Sequence, residues 1–124
     1  MSTIKADTIV ASDGTSPVTL TKQSAAKAWI AFNGTGTIAI KDSNNFTSIS
    51  DDGTGDYKSN LASALSDANG SATAGGGHPS GLTNVGEAHQ VGLLSSSQLS
   101  HETGSSSGNL DFAHVNAAVH GDLA

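Results

Sequence analysis

The sequence predicts an all-β chain: a small antiparallel β-sandwich or meander, preceded by an extended N-terminal segment and completed by oligomerisation. Several segments alternate between apolar and polar residues with the period of a half-buried strand, and Asn-Gly and Asp-Gly turn signals fall between them. Ile, Leu, Val and Phe number only 24 of 124 residues, a thin interior for a lone small domain. Cys is absent, so partner subunits are the expected source of the missing buried surface.

Residues 1–26 form the first unit. Ile4, Ile9, Val10, Val18 and Leu20 stand as isolated apolar anchors among Thr, Ser and Asp. Such a segment has no core of its own, and it gains stability by lying against another surface. It reads as an attachment segment whose five apolar residues make docking or oligomer contacts. Residues 21–28 contain helix formers, but two turns are marginal alone, so a short helical turn is the most they support.

Residues 27–124 form the β-domain. Ala28, Ile30 and Phe32 share one strand face, and Trp29 and Ala31 the other; apolar residues on both faces predict a central strand. Asn33-Gly34 suits the positive φ angles of a tight hairpin, with Ile38 to Lys41 as the returning strand. A turn at Asp42 to Asn45 leads to a strand at Phe46 to Ser50, and Asp51 to Asp56 reverses the chain again, the spacing of an antiparallel meander. Tyr57, Leu61 and Leu65 lie four apart, which fits a helix or one face of a strand; strand is preferred.

Residues 70–81 and 95–108 are rich in Gly and Ser and read as surface loops. His78, Ser80, Ser96, His101 and Ser106 are their candidate host-facing positions. Between them, Val85, Val91 and Leu93 share a strand face with Glu87 and His89. The last strand has the plainest pattern: Ala113, Val115, Ala117 and Val119 face one way, His114, Asn116 and His120 the other. Trp29, Ile30, Phe32, Val115 and Val119 are the expected core or interface anchors, Trp29 more as core than as a sugar-stacking platform.

Composition excludes several classes of function. Net charge is −6, Arg is missing and the five Lys are scattered, so nucleic acid is not an expected partner. No window approaches the roughly 18 apolar residues of a membrane span, and the N-terminus shows no export signal, so a soluble chain is expected. At 13% charged residues, with clean alternation, the chain is not expected to be disordered.

The run Lys27-Ala28-Trp29-Ile30-Ala31-Phe32-Asn33-Gly34-Thr35-Gly36-Thr37-Ile38-Ala39-Ile40-Lys41-Asp42-Ser43 strongly resembles a family of phage tail-fibre-like proteins, many of them from phages of cyanobacteria and other aquatic bacteria. The similarity extends upstream over Ile4 to Leu20 and downstream over Asp52 to Tyr57 and Ser66 to Asn69, about half the chain. Lys58, Ser59 and Gly70 stand where the look-alikes carry larger apolar or aromatic residues, which implies a poorer local core here. Ala117 to Ala124 is also similar to endings in that family, an expectation of a complete chain. The resemblance implies a virion component made in the bacterial host cytoplasm, a homotrimer docked by its N-terminal segment with the β-domain outward. Its partners would be other phage tail or capsid proteins and, in one reading, a host surface glycan.

No enzymatic chemistry and no cofactor is expected. His114 and His120, six residues apart on one strand face, would be separated by roughly 20 Å, too far for one ion. The Asp51 to Asp56 run lacks the spaced ligands and closing Glu of a calcium loop, and a hairpin turn is the plainer reading. Gly77-His78-Pro79-Ser80-Gly81 is not a nucleophile elbow, and neither Gly-Thr-Gly run carries the Lys-Ser/Thr signature of a phosphate loop. A tail-fibre-like structural subunit is therefore the lead expectation. A capsid decoration protein and a carbohydrate-binding module are the alternatives.

Overall fold

The structure, a computed structural model, describes residues 26–77 and 88–124, together with residues 12 and 14. Ile4, Ile9, Val10, Val18, Leu20, His78 and Ser80 lie outside the described residues. So does most of the expected helical turn, whose last residue, Ala28, instead begins a strand. Among the described residues the chain is all β, and no helix is long and apolar enough to cross a membrane.

The strands are β1 (Ala28–Asn33), β2 (Ala39–Asn44), β3 (Phe46–Gly53), β4 (Asp56–Leu61), β5 (Ser71–Gly77), β6 (Ala88–Ser95), β7 (Gln98–Ser105), β8 (Gly108–Asn109) and β9 (His114–His120). They form two antiparallel sheets, one in the order β2-β1-β9-β5 and the other β3-β4-β7-β6 with β8 on β7. β1 is central, as its two apolar faces require. Ile30, Phe32, Val115 and Val119 are buried where alternation places them.

A strict meander is ruled out at Asn45, because β2 and β3 belong to different sheets. The expected four-residue turn contracts to this single residue, at φ 61°, a conformation that Asn tolerates better than other non-glycine residues. Its side-chain carbonyl accepts the Ser63 N–H (2.7 Å), and its amide nitrogen donates to the Ser63 carbonyl (3.1 Å). The corner is therefore cross-linked to the end of β4.

The β1–β2 hairpin forms as expected, but its positive φ falls on Gly36 (64°) rather than on Asn33-Gly34. Gly34 is required for closeness instead. A Cβ there would stand 2.8 Å from the Tyr57 ring and 2.9 Å from the Phe112 carbonyl. Tyr57 is fully buried, and its hydroxyl proton is shared between Asp111 Oδ1 (2.8 Å) and the Gly34 carbonyl (3.0 Å). Burial, with Asp111 beside it, pushes the phenol well above its ordinary range, so the hydroxyl remains a donor. Asp111 also accepts the Gly55 N–H (2.7 Å), which joins three turns at one carboxylate. Tyr57→Phe is expected to destabilise the fold by about 1–3 kcal/mol, since the buried acceptors lose their donor. An unchanged urea midpoint would show that this node contributes nothing.

Three sequence expectations require correction. Residues 71–77, read as loop, form β5 on the free side of β9. Its small residues have weak strand preference, but a strand needs only backbone partners and β9 supplies them. Residues 98–105, also read as loop, form β7, the centre of the second sheet, with Leu99, His101 and Thr103 inward. Two of these three inward residues are polar, which hides the alternation. Trp29, expected as a core or interface anchor with core preferred, is not in the core but 38% exposed on the outer face of the first sheet, because Ala28 and Ile30 occupy the inward positions on either side of it. Residues 57–65 resolve as strand up to Leu61, followed by a turn and a single bridge from Leu65 to Leu123.

The core is shared between sheets. Ile30, Phe32, Val115 and Ala117 of the first meet Tyr57 of the second, together with Phe112. Ala28 and Val119 meet Leu61, Leu65 and Leu99 beside them. Phe32 lies at its centre, edge-on to Tyr57 and to His101 with ring centroids 5.3 Å away in each case.

Candidate functional site

Two features lie beyond what packing alone requires: a chain of polar side chains inside the sandwich, and a difference between its outer faces.

Each inward polar residue follows from strand alternation. Ser59 falls between Tyr57 and Leu61 on β4, His101 between Leu99 and Thr103 on β7, and His89 two residues before Val91 on β6. Ser59 and His101 are 0% exposed. Ser59 Oγ is 2.7 Å from His101 Nε2, His101 Nδ1 is 3.3 Å from His89 Nε2, and His89 Nδ1 is 3.0 Å from the carbonyl oxygen of Gly75 on β5. The rings of His89 and His101 stack with centroids 5.4 Å apart.

The carbonyl at one end fixes every proton. Gly75 O only accepts, so His89 Nδ1 carries hydrogen, and in the neutral ring Nε2 must accept. His101 therefore donates from Nδ1 and accepts at Nε2, which receives the Ser59 hydroxyl. Burial pulls both imidazoles below the ordinary value of 6.5, and His101, with His89 beside it, falls to about 3. Both rings are neutral at pH 7, and every polar atom of the chain has a partner.

A hydroxyl donating to an imidazole backed by a second imidazole has the order of a nucleophile relay. Ser59 is nevertheless sealed in the core, and no carbonyl substrate could reach its oxygen in this conformation. The chain joins the two sheets where β5 and β6 meet.

On the outer face of the first sheet, Trp29 lies level with Ala118 and Thr73, and Ala31 with Asn116 and Gly75. These small residues floor a shallow groove of about 390 Å³ beside the indole. The outer face of the second sheet is mostly polar, apart from Leu94, 53% exposed near the end of β6. Its rows are Ser50, Lys58, Ser100 and Gly92, then Ser48, Asn60 and Gln98. Asn60 donates to Ser48 Oγ (3.0 Å) and Gln98 to Asn60 Oδ1 (2.9 Å), and Lys58 pairs with Asp52. The second sheet's outer rows are thus bonded among themselves, while the first sets its indole between Asn44 and Asp42 of β2 on one side and the groove floored by small residues of β9 and β5 on the other.

The remaining expected positions are dispersed. Ser96 lies in the β6–β7 turn, where its carbonyl accepts the Leu65 N–H at 2.7 Å. Ser106 is exposed in the turn after β7. His101, expected on a host-facing loop, is instead a core residue, because the segment carrying it is a strand. His114 accepts from Lys41 Nζ (2.9 Å). Among the described residues no three His, Asp or Glu side chains are grouped to hold a metal ion. Ser59 escaped sequence reasoning, although its place between Tyr57 and Leu61 is the signal that would have found it; His89 was legible as an inward residue but not as a partner of His101. Set against family models, curated proteins and solved structures, the chain matches none of them.

Proposed function

We propose that the protein is a structural subunit of a phage virion, tail-fibre-like, which assembles with copies of itself through the outer face of its first sheet. The observation that carries the assembly is Trp29, exposed on a floor of Ala31, Gly75 and Ala118. An exposed aromatic ring is the kind of side chain that anchors an interface centre, and the mostly polar second sheet is suited to water. The phage assignment rests on the similarity of residues 27–43 to tail-fibre-like proteins. In that setting the N-terminal segment docks to the particle and the β-domain faces outward. Capsid decoration would use the same surfaces, and locating the chain in an imaged virion separates the two.

Mass measurement in solution is expected to give three protomers. Trp29→Ser is expected to shift the protein to the monomer while leaving its far-ultraviolet spectrum unchanged, since the indole lies outside the core. A wild-type protein that stays monomeric at high concentration contradicts the reading. Carbohydrate binding is the second reading, favoured by the exposed indole beside Asn116 and Thr73. It would appear as Trp29 fluorescence changes on addition of host envelope glycan to the monomeric form.

A further inference from the structure

Gly75 O and His89 lie on different sheets, β5 at the edge of the first and β6 at the edge of the second. The polar chain from Ser59 ends in their hydrogen bond, so it fastens the sandwich along this edge. We propose that the chain Ser59–His101–His89–Gly75 is a proton-operated latch, in which proton uptake at His89 releases β5 from β6.

The geometry determines what one proton does. A proton at His89 Nε2 makes that atom a donor facing His101 Nδ1 at 3.3 Å. The chain accommodates it only by reversing: His101 must accept at Nδ1 and donate from Nε2, which deprives the Ser59 hydroxyl of its acceptor. A second proton would set two N–H groups against each other.

No counter-charge offsets the cation among the described residues. From β1 the rings meet Phe32, from β4 Tyr57 and Ser59, from β5 the Gly75 carbonyl with Gly76 beside His89, and from β7 His101 and Thr103. Tyr57 is uncharged, and the carboxylate of Asp111 is occupied by the Tyr57 hydroxyl and the Gly55 amide. Glu102, next to His101, points outward. A proton on the Nε2 side, which faces the core, has no counter-charge among the described residues and is costly, whereas His89, only part-buried, reaches water by swinging out. That movement breaks its bond to Gly75.

The direction with pH follows. Both imidazoles titrate below 6.5 when the latch is closed, so an opened seam binds more protons between 6.5 and about 3. The closed form is therefore fully favoured above 6.5 and loses ground progressively as pH falls below it.

Amide hydrogen exchange read by mass spectrometry on the full chain at pH 7 and pH 5, corrected for intrinsic rates, tests this. Protection in residues 71–77 and 88–95 is expected to drop severalfold, up to about 25-fold, the limit for one imidazole that takes its proton only in the open seam, while residues 28–33 keep theirs. His89→Gln retains a donor for Gly75 without a titrating group and is expected to abolish the difference. Should that variant not fold, nuclear magnetic resonance titration of the wild-type imidazoles replaces it, and the His89 midpoint must coincide with the loss of protection. Unchanged protection at 71–77, a uniform loss over all strands, the same loss in His89→Gln, or non-coincident midpoints would each overturn the latch. Wild type and His89→Gln are compared in the same oligomeric state, so that coverage of β5 by another subunit does not enter the difference.

Discussion

Phe32→Ala is expected to lower the unfolding free energy by about 3–5 kcal/mol, the range for deleting a buried aromatic side chain. Phe32 is 0% exposed on the central strand of the first sheet. It touches the second sheet through Tyr57 and His101, both edge-on. Removing the ring leaves a void between layers that neither neighbour can fill: Tyr57 is held by Gly34 and Asp111, and His101 by Ser59 and His89. Small domains are stable by only about 5–15 kcal/mol, so this one change removes a large fraction of the total. Urea denaturation should show a lower midpoint with an unaltered slope. Phe32→Leu, which keeps most of the volume, should cost less than half as much. A loss below about 1 kcal/mol for alanine would mean that the sheets are held together elsewhere.

Gly55→Val is expected to be comparably damaging for a different reason. Gly55 sits at φ 69°, a conformation costing a side-chain-bearing residue about 1–2 kcal/mol. A Cβ there would also press into the Thr103 carbonyl and stand 3.0 Å from both N and O of Leu110. The β3–β4 turn and the segment after β8 would have to separate. That breaks the bonds from Thr103 N–H to Gly55 O (2.8 Å) and from Gly55 N–H to Asp111 (2.7 Å), at about 1 kcal/mol each or more. Gly36→Ala is the control. Its φ of 64° carries the same backbone strain, but nothing lies within 4 Å of its Cβ. Its expected loss is about 1 kcal/mol. Equal losses in the two variants would show that backbone strain, not close approach, accounts for Gly55.

The candidate site was less legible than the fold. His89 could be placed inward because Val91 and Leu93 follow it at strand spacing. His101 could not, because Leu99 is the one large apolar residue on the inward face of β7, and a stretch of Ser and Gly surrounds it. A strand whose inward residues are stabilised by hydrogen bonds rather than by hydrophobicity leaves little trace in an apolar pattern. Trp29 shows the converse: its large apolar surface suggested the interior, while alternation alone put it opposite Ile30. Alternation was the sounder guide, since successive side chains of a regular strand point to opposite faces.

The sequence by itself determined the all-β character, the central place of β1, the hairpins at residues 33–37 and 51–56, and the buried faces of β1 and β9. Those follow from local period and turn chemistry, which act over a few neighbouring residues. Only the tertiary structure decided that β2 and β3 part company at Asn45, that β5 and β7 are strands, and that Ser59, His101 and His89 meet. Each depends on a partner far along the chain: β9 beside β5 and β4 beside β7 within one sheet, and the facing sheet for the polar chain, none of which a local pattern contains.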